Sequence, residues 1–248
     1  MKNKCREGFA AISDQGEWIE IHYESRGEGT PLLLLHGNGQ NLGVFRRQIE
    51  EFSKDYQVVA LDSRGQGSSG LGSRELAFPV LGEDVKQVMD ALVIEKAFVL
   101  GFSDGANIAL ELALRHPNRL LGLVLVSGNL NPSGLKFWVR IQALLRYGFW
   151  TLGPWDRERA RRNRELASLM AFQPELEARQ LWELHIPTLV IAGERDLITT
   201  DHTREIAGSI PGAQLRVVKN AGHWALFRKD GAYRTIILEF LKKTEEEI

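Results

Sequence analysis

The stretch Val99 to Asn107, VLGFSDGAN, joins an apolar run, KAFVLGF, to a helix-like one, ANIALELALRHP. A residue at the apex of a sharp strand-to-helix turn takes a strained backbone. The positions two before and two after it must be small, or strand and helix collide. Gly101 and Gly105 meet that need around Ser103, and Ala106 keeps the next position small. The Ser103 hydroxyl would then project above a sheet, with the first amides of the helix aimed at any negative charge forming beside it. The same residues have a plainer use, a glycine turn with a helix-capping serine.

The flanking sequence decides between these uses. Before the turn lie a hairpin pattern (GFAAIS, a turn at DQGE, then WIEIHYE), the apolar run PLLLLHG, the helical VFRRQIEEFSK, the strand-like YQVVALDSRG and the amphipathic GEDVKQVMDALV. After it come the strand LLGLVLVSG and, further on, PTLVIAGERD, the helix HTREIAGSI, the strand QLRVVKN and the helix YRTIILEFLKK. Strands alternating with helices, and apolar on both faces, predict an α/β fold with a parallel sheet covered on both sides. The alternation breaks once, where a helical stretch is rich in Phe and Trp. The expected organisation is a core of residues 1–130 and 184–248 carrying a cap of residues 131–183. An insertion there would sit over the carboxyl ends of the strands, where open α/β sheets place their sites.

Composition narrows the function classes. The chain has 248 residues, 44 % of them apolar, and a net charge of −1, so no charge bias points to nucleic acid. Cys5 is the only cysteine, which excludes an internal disulfide and a cysteine-rich zinc site; no metal or organic cofactor is expected. The N-terminus lacks the uninterrupted apolar core of a signal peptide, and no run reaches membrane-spanning length. These features predict a soluble cytoplasmic protein. They leave monomer and homodimer open.

A nucleophilic serine needs a base, and the base needs an orienting acid. His223, in NAGHWALF, directly follows the last strand and so shares the face of the turn. His22, His116, His185 and His202 read as structural or surface residues. The acid is assigned to Asp196, in the loop after TLVIAG; Glu194 reads as a rim residue and Asp201 as the cap of the next helix. The chain order Ser103, Asp196, His223 is the one expected for this architecture. The glycine-rich turn His36-Gly37-Asn38-Gly39 supplies the oxyanion hole: the amides of Asn38 and Asp104 form the expected pair, with Gly39 as the substitute for Asn38. His36 is read as a brace for that loop, and Asp62 as structural.

In order, HGNG, DSRGQGSS, GFSDG, GERD and AGHW look like the α/β-hydrolase superfamily. The resemblance runs from about Gly8 to Leu241. It implies a mostly parallel eight-stranded sheet with an antiparallel early strand, flanked by helices and bearing a small helical cap. The family often has histidine where Gln66 stands, in what reads as a structural turn beside the site. The GFSDG elbow resembles that of biphenyl-hydrolase-like enzymes, in which the equivalent acid helps bind an amino group. The side chain of Asp104 therefore has two readings, a counter-charge for a cationic substrate and a favourable charge at a helix start.

The pocket is expected to include Phe102, Trp138 and Trp224. The arginine run DRERARRNR reads as a solvated helix face rather than an anion site. The expected activity is hydrolysis of a carboxylic ester or related acyl bond of a small, largely apolar substrate. A carbon–carbon bond hydrolase of ring-cleavage products is the alternative within the fold, and a small-ligand receptor the alternative to an enzyme. A dehalogenase or epoxide hydrolase is disfavoured, because that resemblance calls for aspartate at position 103.

Overall fold

The computed structural model describes residues 5–229 and 231–247. Eight strands form one sheet in the order β1-β2-β4-β3-β5-β6-β7-β8. They are β1 (Arg6–Asp14), β2 (Glu17–Arg26), β3 (Pro31–Leu35), β4 (Gln57–Leu61), β5 (Ala97–Phe102), β6 (Leu120–Val126), β7 (Thr188–Arg195) and β8 (Gln214–Gly222). β1 and β2 form the expected hairpin, closed by Gln15 and Gly16, both left-handed as a two-residue turn between twisted strands requires. β2 runs antiparallel to β4, and all pairs from β4 to β8 are parallel.

Among the described residues the α-helices are α1 (Arg46–Phe52), α2 (Phe78–Ala91), α3 (Asp104–Arg115), α4 (Phe137–Leu152), α5 (Arg157–Phe172), α6 (Thr200–Ser209) and α7 (Ala232–Glu246). α2 starts well before the predicted GEDV, because Pro79 suits a first helical turn and Phe78 and Val80 are buried. α6 is capped by Thr199, whose hydroxyl accepts from the His202 amide; Asp201, expected as the cap, lies in the first turn instead.

The apolar runs explain the layers. Along β3, Leu33 and Leu35 join the core on one face, and Leu32 and Leu34 join the core on the other. β5 is buried at every position and alternates likewise, Val99 to one face and Phe98, Leu100 and Phe102 to the other. Each such side chain removed from water contributes about 2 kcal/mol toward folding. Buried Arg64, in the loop after β4, donates to Asp14 at the end of β1 and to Asp84 on α2, tying sheet edge, loop and helix together.

Chain order reverses around β3, whose two neighbours are β4 and β5. The loops leaving β3 and β5 part there, opening the crevice in which α/β sheets bind ligands. HGNG and Ser103 stand at those two strand ends. Between β6 and β7 the chain forms α4 and α5. α5 joins the main apolar core through Leu166 and Leu169, whereas α4 contributes only Val139 and Ala143 as buried residues.

Candidate active site

Ser103 occupies φ 55°, ψ −121°, the strained conformation expected at the apex. Its amide donates to Val126 O at 2.8 Å and its carbonyl accepts from Ala106 at 2.8 Å, so sheet and helix both hold the strain. A Cβ at Gly101 would lie 2.1 Å from Gly105 O, and one at Gly105 2.0 Å from Leu35 O. Both glycines are therefore required by contact. The hydroxyl makes no capping bond, which removes the plainer reading of this serine.

His223 begins a short 3₁₀ turn directly after β8. Its Nδ1 lies 2.7 Å from Asp196 Oδ1. Asp196 is buried and its oxygens are fully engaged: Oδ1 also accepts from the amides of Leu197 and Ile198, and Oδ2 from Ser127 Oγ at 2.7 Å and the Gly193 amide. Burial works against ionisation here, yet the bonds from His223 and Ser127 outweigh it and hold the carboxyl below its usual range. Ser103, Asp104 and His223 line one cavity of about 30 Å³ with Asn129, Leu135, Val139, Met170, Gln173, Leu197 and Ile198. Among the described residues Ser103 Oγ and His223 share this cavity without a direct hydrogen bond.

The loop after β3 sorts its own amides. Gly37 N donates to Gln40 Oε1, Gly39 N to Gln66 Oε1 at 2.6 Å, and Gln40 N to Gly37 O. The Gly39 amide is thus taken, which corrects its expected use as a substitute donor, whereas the Asn38 amide has no such partner among the described residues. His36 is buried and braces the turn, with Nδ1 on Gly37 O and Nε2 accepting from Ser63 N. Gln66 does more than shape its own turn, because it fixes Gly39. Asp62 is structural: it accepts from Leu42 N, Ser68 N and His22 Nδ1.

Asp104 has a third role that neither sequence reading contained. Asn38 Nδ2 donates to Asp104 Oδ2 at 2.8 Å and also to Leu166 O of α5 at 2.8 Å, so the loop after β3, the start of α3 and α5 are joined through one side chain. Asn38 Oδ1 is buried without a partner among the described residues. Burial pushes the Asp104 carboxyl up to about 6, against the opposing pull of Asn38, His223 and Arg146. Arg146 of α4 also reaches the loop after β3; its Nη2 lies 3.7 Å from where a Gly39 Cβ would stand.

A model of the α/β-hydrolase fold matches residues 30–179. The chain belongs to the α/β-hydrolase family. Among curated relatives, a putative carbamate hydrolase RutD of Azorhizobium caulinodans is 29 % identical, the match covering 82 % of this chain and 88 % of that one. A 2-hydroxy-6-oxo-6-phenylhexa-2,4-dienoate hydrolase of Comamonas testosteroni is 29 % identical over 95 % of this chain and 96 % of its own. Among solved structures, a hydrolase from Pseudomonas aeruginosa superposes with TM-score 0.80 at 26 % identity, covering 95 % of this chain and 98 % of that one. Est816, described as an N-acyl homoserine lactone degrading enzyme, gives 0.74 at 26 % identity, covering 93 % and 99 %.

In this α/β-hydrolase the expected pocket aromatics lie elsewhere. Phe102 is buried beneath the site, its ring 4.9 Å from that of His223 and 4.9 Å from Phe227. Trp224 packs on Phe102 and is half exposed, and Trp138 is also half exposed. None of the three lines the Ser103 cavity. The reason is helical geometry: Val139 faces the cavity, so its neighbour Trp138 is turned about 100° away. Ser127, Gln66, Asn129 and Gln173 were missed as site residues. Ser127 and Asn129 were findable in the loop just past β6 on the site's face; Gln66 and Gln173 are brought in by folding across long separations.

Proposed function

We propose that this chain is a serine hydrolase cleaving a carboxylic ester, or related acyl bond, of a small and largely apolar substrate. The observation that carries this reading is the 2.7 Å bond from buried Asp196 to His223, whose ring shares a cavity with the strained Ser103. His223 Nε2 takes the Ser103 proton as Oγ attacks the acyl carbon. Asp196 accepts from Nδ1–H, which fixes the tautomer and stabilises the imidazolium. The amides of Asn38 and Asp104 receive the oxyanion, each worth about 3 kcal/mol of transition-state stabilisation. His223 returns the proton to the leaving group, and a water activated by the same ring releases the acyl group.

In the same reading residues 131–183 act as a cap on a core of residues 1–130 and 184–248. The cavity of about 30 Å³ holds little more than ordered water, so substrate entry requires cap side chains to move. The apolar lining by Leu135, Val139, Met170, Leu197 and Ile198 favours an apolar acyl or alcohol group.

A second reading is a carbon–carbon bond hydrolase of ring-cleavage products. It is favoured by the Comamonas relative and by Arg146, a cation beside the oxyanion loop suited to a substrate carboxylate. Against it stands Asp104, a carboxyl in the same cavity that repels an anion when ionised. A panel of ester, thioester, amide, carbamate and vinylogous diketone substrates, run on wild type and Ser103→Ala, separates the two. Ester turnover lost in Ser103→Ala, together with fluorophosphonate labelling of Ser103, is expected. Unchanged ester turnover in the variant removes the proposal.

A further inference from the structure

α4 presents its apolar surface the wrong way round for a helix of a folded domain. Its buried stripe is only Val139 and Ala143. Phe137, Trp138, Ile141, Leu145, Phe149 and Leu152 are all exposed, Phe137 at 76 %, Leu145 at 68 % and Leu152 at 86 %. Phe137, Ile141, Leu145, Phe149 and Leu152 are spaced by three or four, and Trp138 falls three before Ile141, so all six lie along one side of the helix, an apolar stripe facing away from the chain's own core. A patch of this size on a soluble domain marks a binding surface.

Charge says what kind of partner fits. Between residues 136 and 165 there are eight Lys and Arg and three Asp and Glu, net +5 in a chain whose total is −1. α4 itself has no acidic residue, and Arg157, Arg159 and Arg162 on α5 are exposed beside it. The arginine run reaches the end of the aromatic stripe through Trp150, whose ring packs on that of Phe149. Arg159 stacks over Trp150 at 5.7 Å, and the Phe149, Trp150 and Trp155 rings form a cluster with centroids 4.6–5.2 Å apart. An apolar helix face of Trp, Phe and Leu, edged by arginine, is the chemistry of a helix lying in a lipid headgroup layer. A second copy suits it poorly, because a twofold contact would set two net-positive faces against each other.

We infer that α4 and the exposed arginines of α5 dock this protein on an anionic lipid surface. No helix among the described residues is long and apolar enough to cross a membrane, so the contact is interfacial. Because Val139 on the opposite side of α4 lines the Ser103 cavity, the docked surface would lie directly over that cavity.

The test is flotation of the full chain with vesicles of phosphatidylcholine alone and of phosphatidylcholine with phosphatidylglycerol at about 3:1, at low and high salt. Partition onto the anionic vesicles is expected to be at least about tenfold stronger, and to fall with salt. Leu145→Glu with Leu152→Glu should reduce it about tenfold or more, as should Arg157→Gln with Arg162→Gln. All four side chains are exposed, and unchanged circular dichroism and thermal midpoints would establish that the variants fold. Equal binding to both vesicles, or none, overturns the inference. So does a concentration-dependent dimer, seen by light scattering and dispersed by the Leu variants, without vesicle preference; that outcome assigns the face to a second copy.

Discussion

Replacing Asp104 by asparagine tests the electrostatics of the site through stability alone. The carboxyl is buried and pushed up to about 6, from 3.8 for a free aspartate. Below both values the group is neutral folded and unfolded, and it contributes nothing to pH dependence. As pH rises from about 4 to about 6 the unfolded chain ionises Asp104 first, so the wild type loses stability, and above about 6 the loss is constant. Two pKa units correspond to about 3 kcal/mol, of which about 2 kcal/mol falls between roughly pH 4.5 and pH 8. Asp104→Asn keeps an acceptor for Asn38 Nδ2 and carries no charge. Relative to wild type it should therefore gain about 2 kcal/mol over that range, close to a 1 M displacement of the urea midpoint. Paired urea titrations at several pH values cancel the other titrating groups. A pH-independent difference, or an asparagine variant that loses ground at high pH, would mean that His223, Arg146 and the helix start outweigh burial, and would refute the argument.

Other outcomes are equally direct. Gly105→Ala should fail to fold or lose several kcal/mol, since its Cβ would meet Leu35 O at 2.0 Å; soluble yield and urea midpoints report this. Ser127→Ala removes a 2.7 Å bond to the Asp196 carboxylate and should lower kcat about tenfold or more with KM little changed, measured on whichever ester the panel selects. Arg64→Met leaves Asp14 and Asp84 without their buried cation and should cost about 3–5 kcal/mol at neutral pH, less in acid as the carboxyls protonate. Gln66→Ala frees the Gly39 amide; a marked drop in kcat with intact thermal stability would place Gln66 as a positioning residue for the oxyanion loop.

The fold was legible because its signals are local. Apolar runs of strand length, helical spacing between them and small residues around Ser103 each follow from chain geometry over a few residues. The candidate residues Ser103, Asp196 and His223 were legible for a related reason: all three lie just past strand ends, and parallel strands deliver their carboxyl ends to one face. The position of each side chain was not. Whether Trp138 or Val139 faces the cavity depends on the rotation of α4 against the sheet, which no local pattern encodes. Whether Gly39 or Asn38 offers an amide depends on Gln66, 27 residues away in sequence. Asp104 shows the same division. Its place at the start of α3 follows from the GFSDG motif. Its bond to Asn38, its buried carboxyl and its tie to α5 through Leu166 exist only because β3, β5 and a helix more than sixty residues later converge at one point. Backbone conformation is set by neighbours in the chain, and hydrogen-bond partners and burial by neighbours in space.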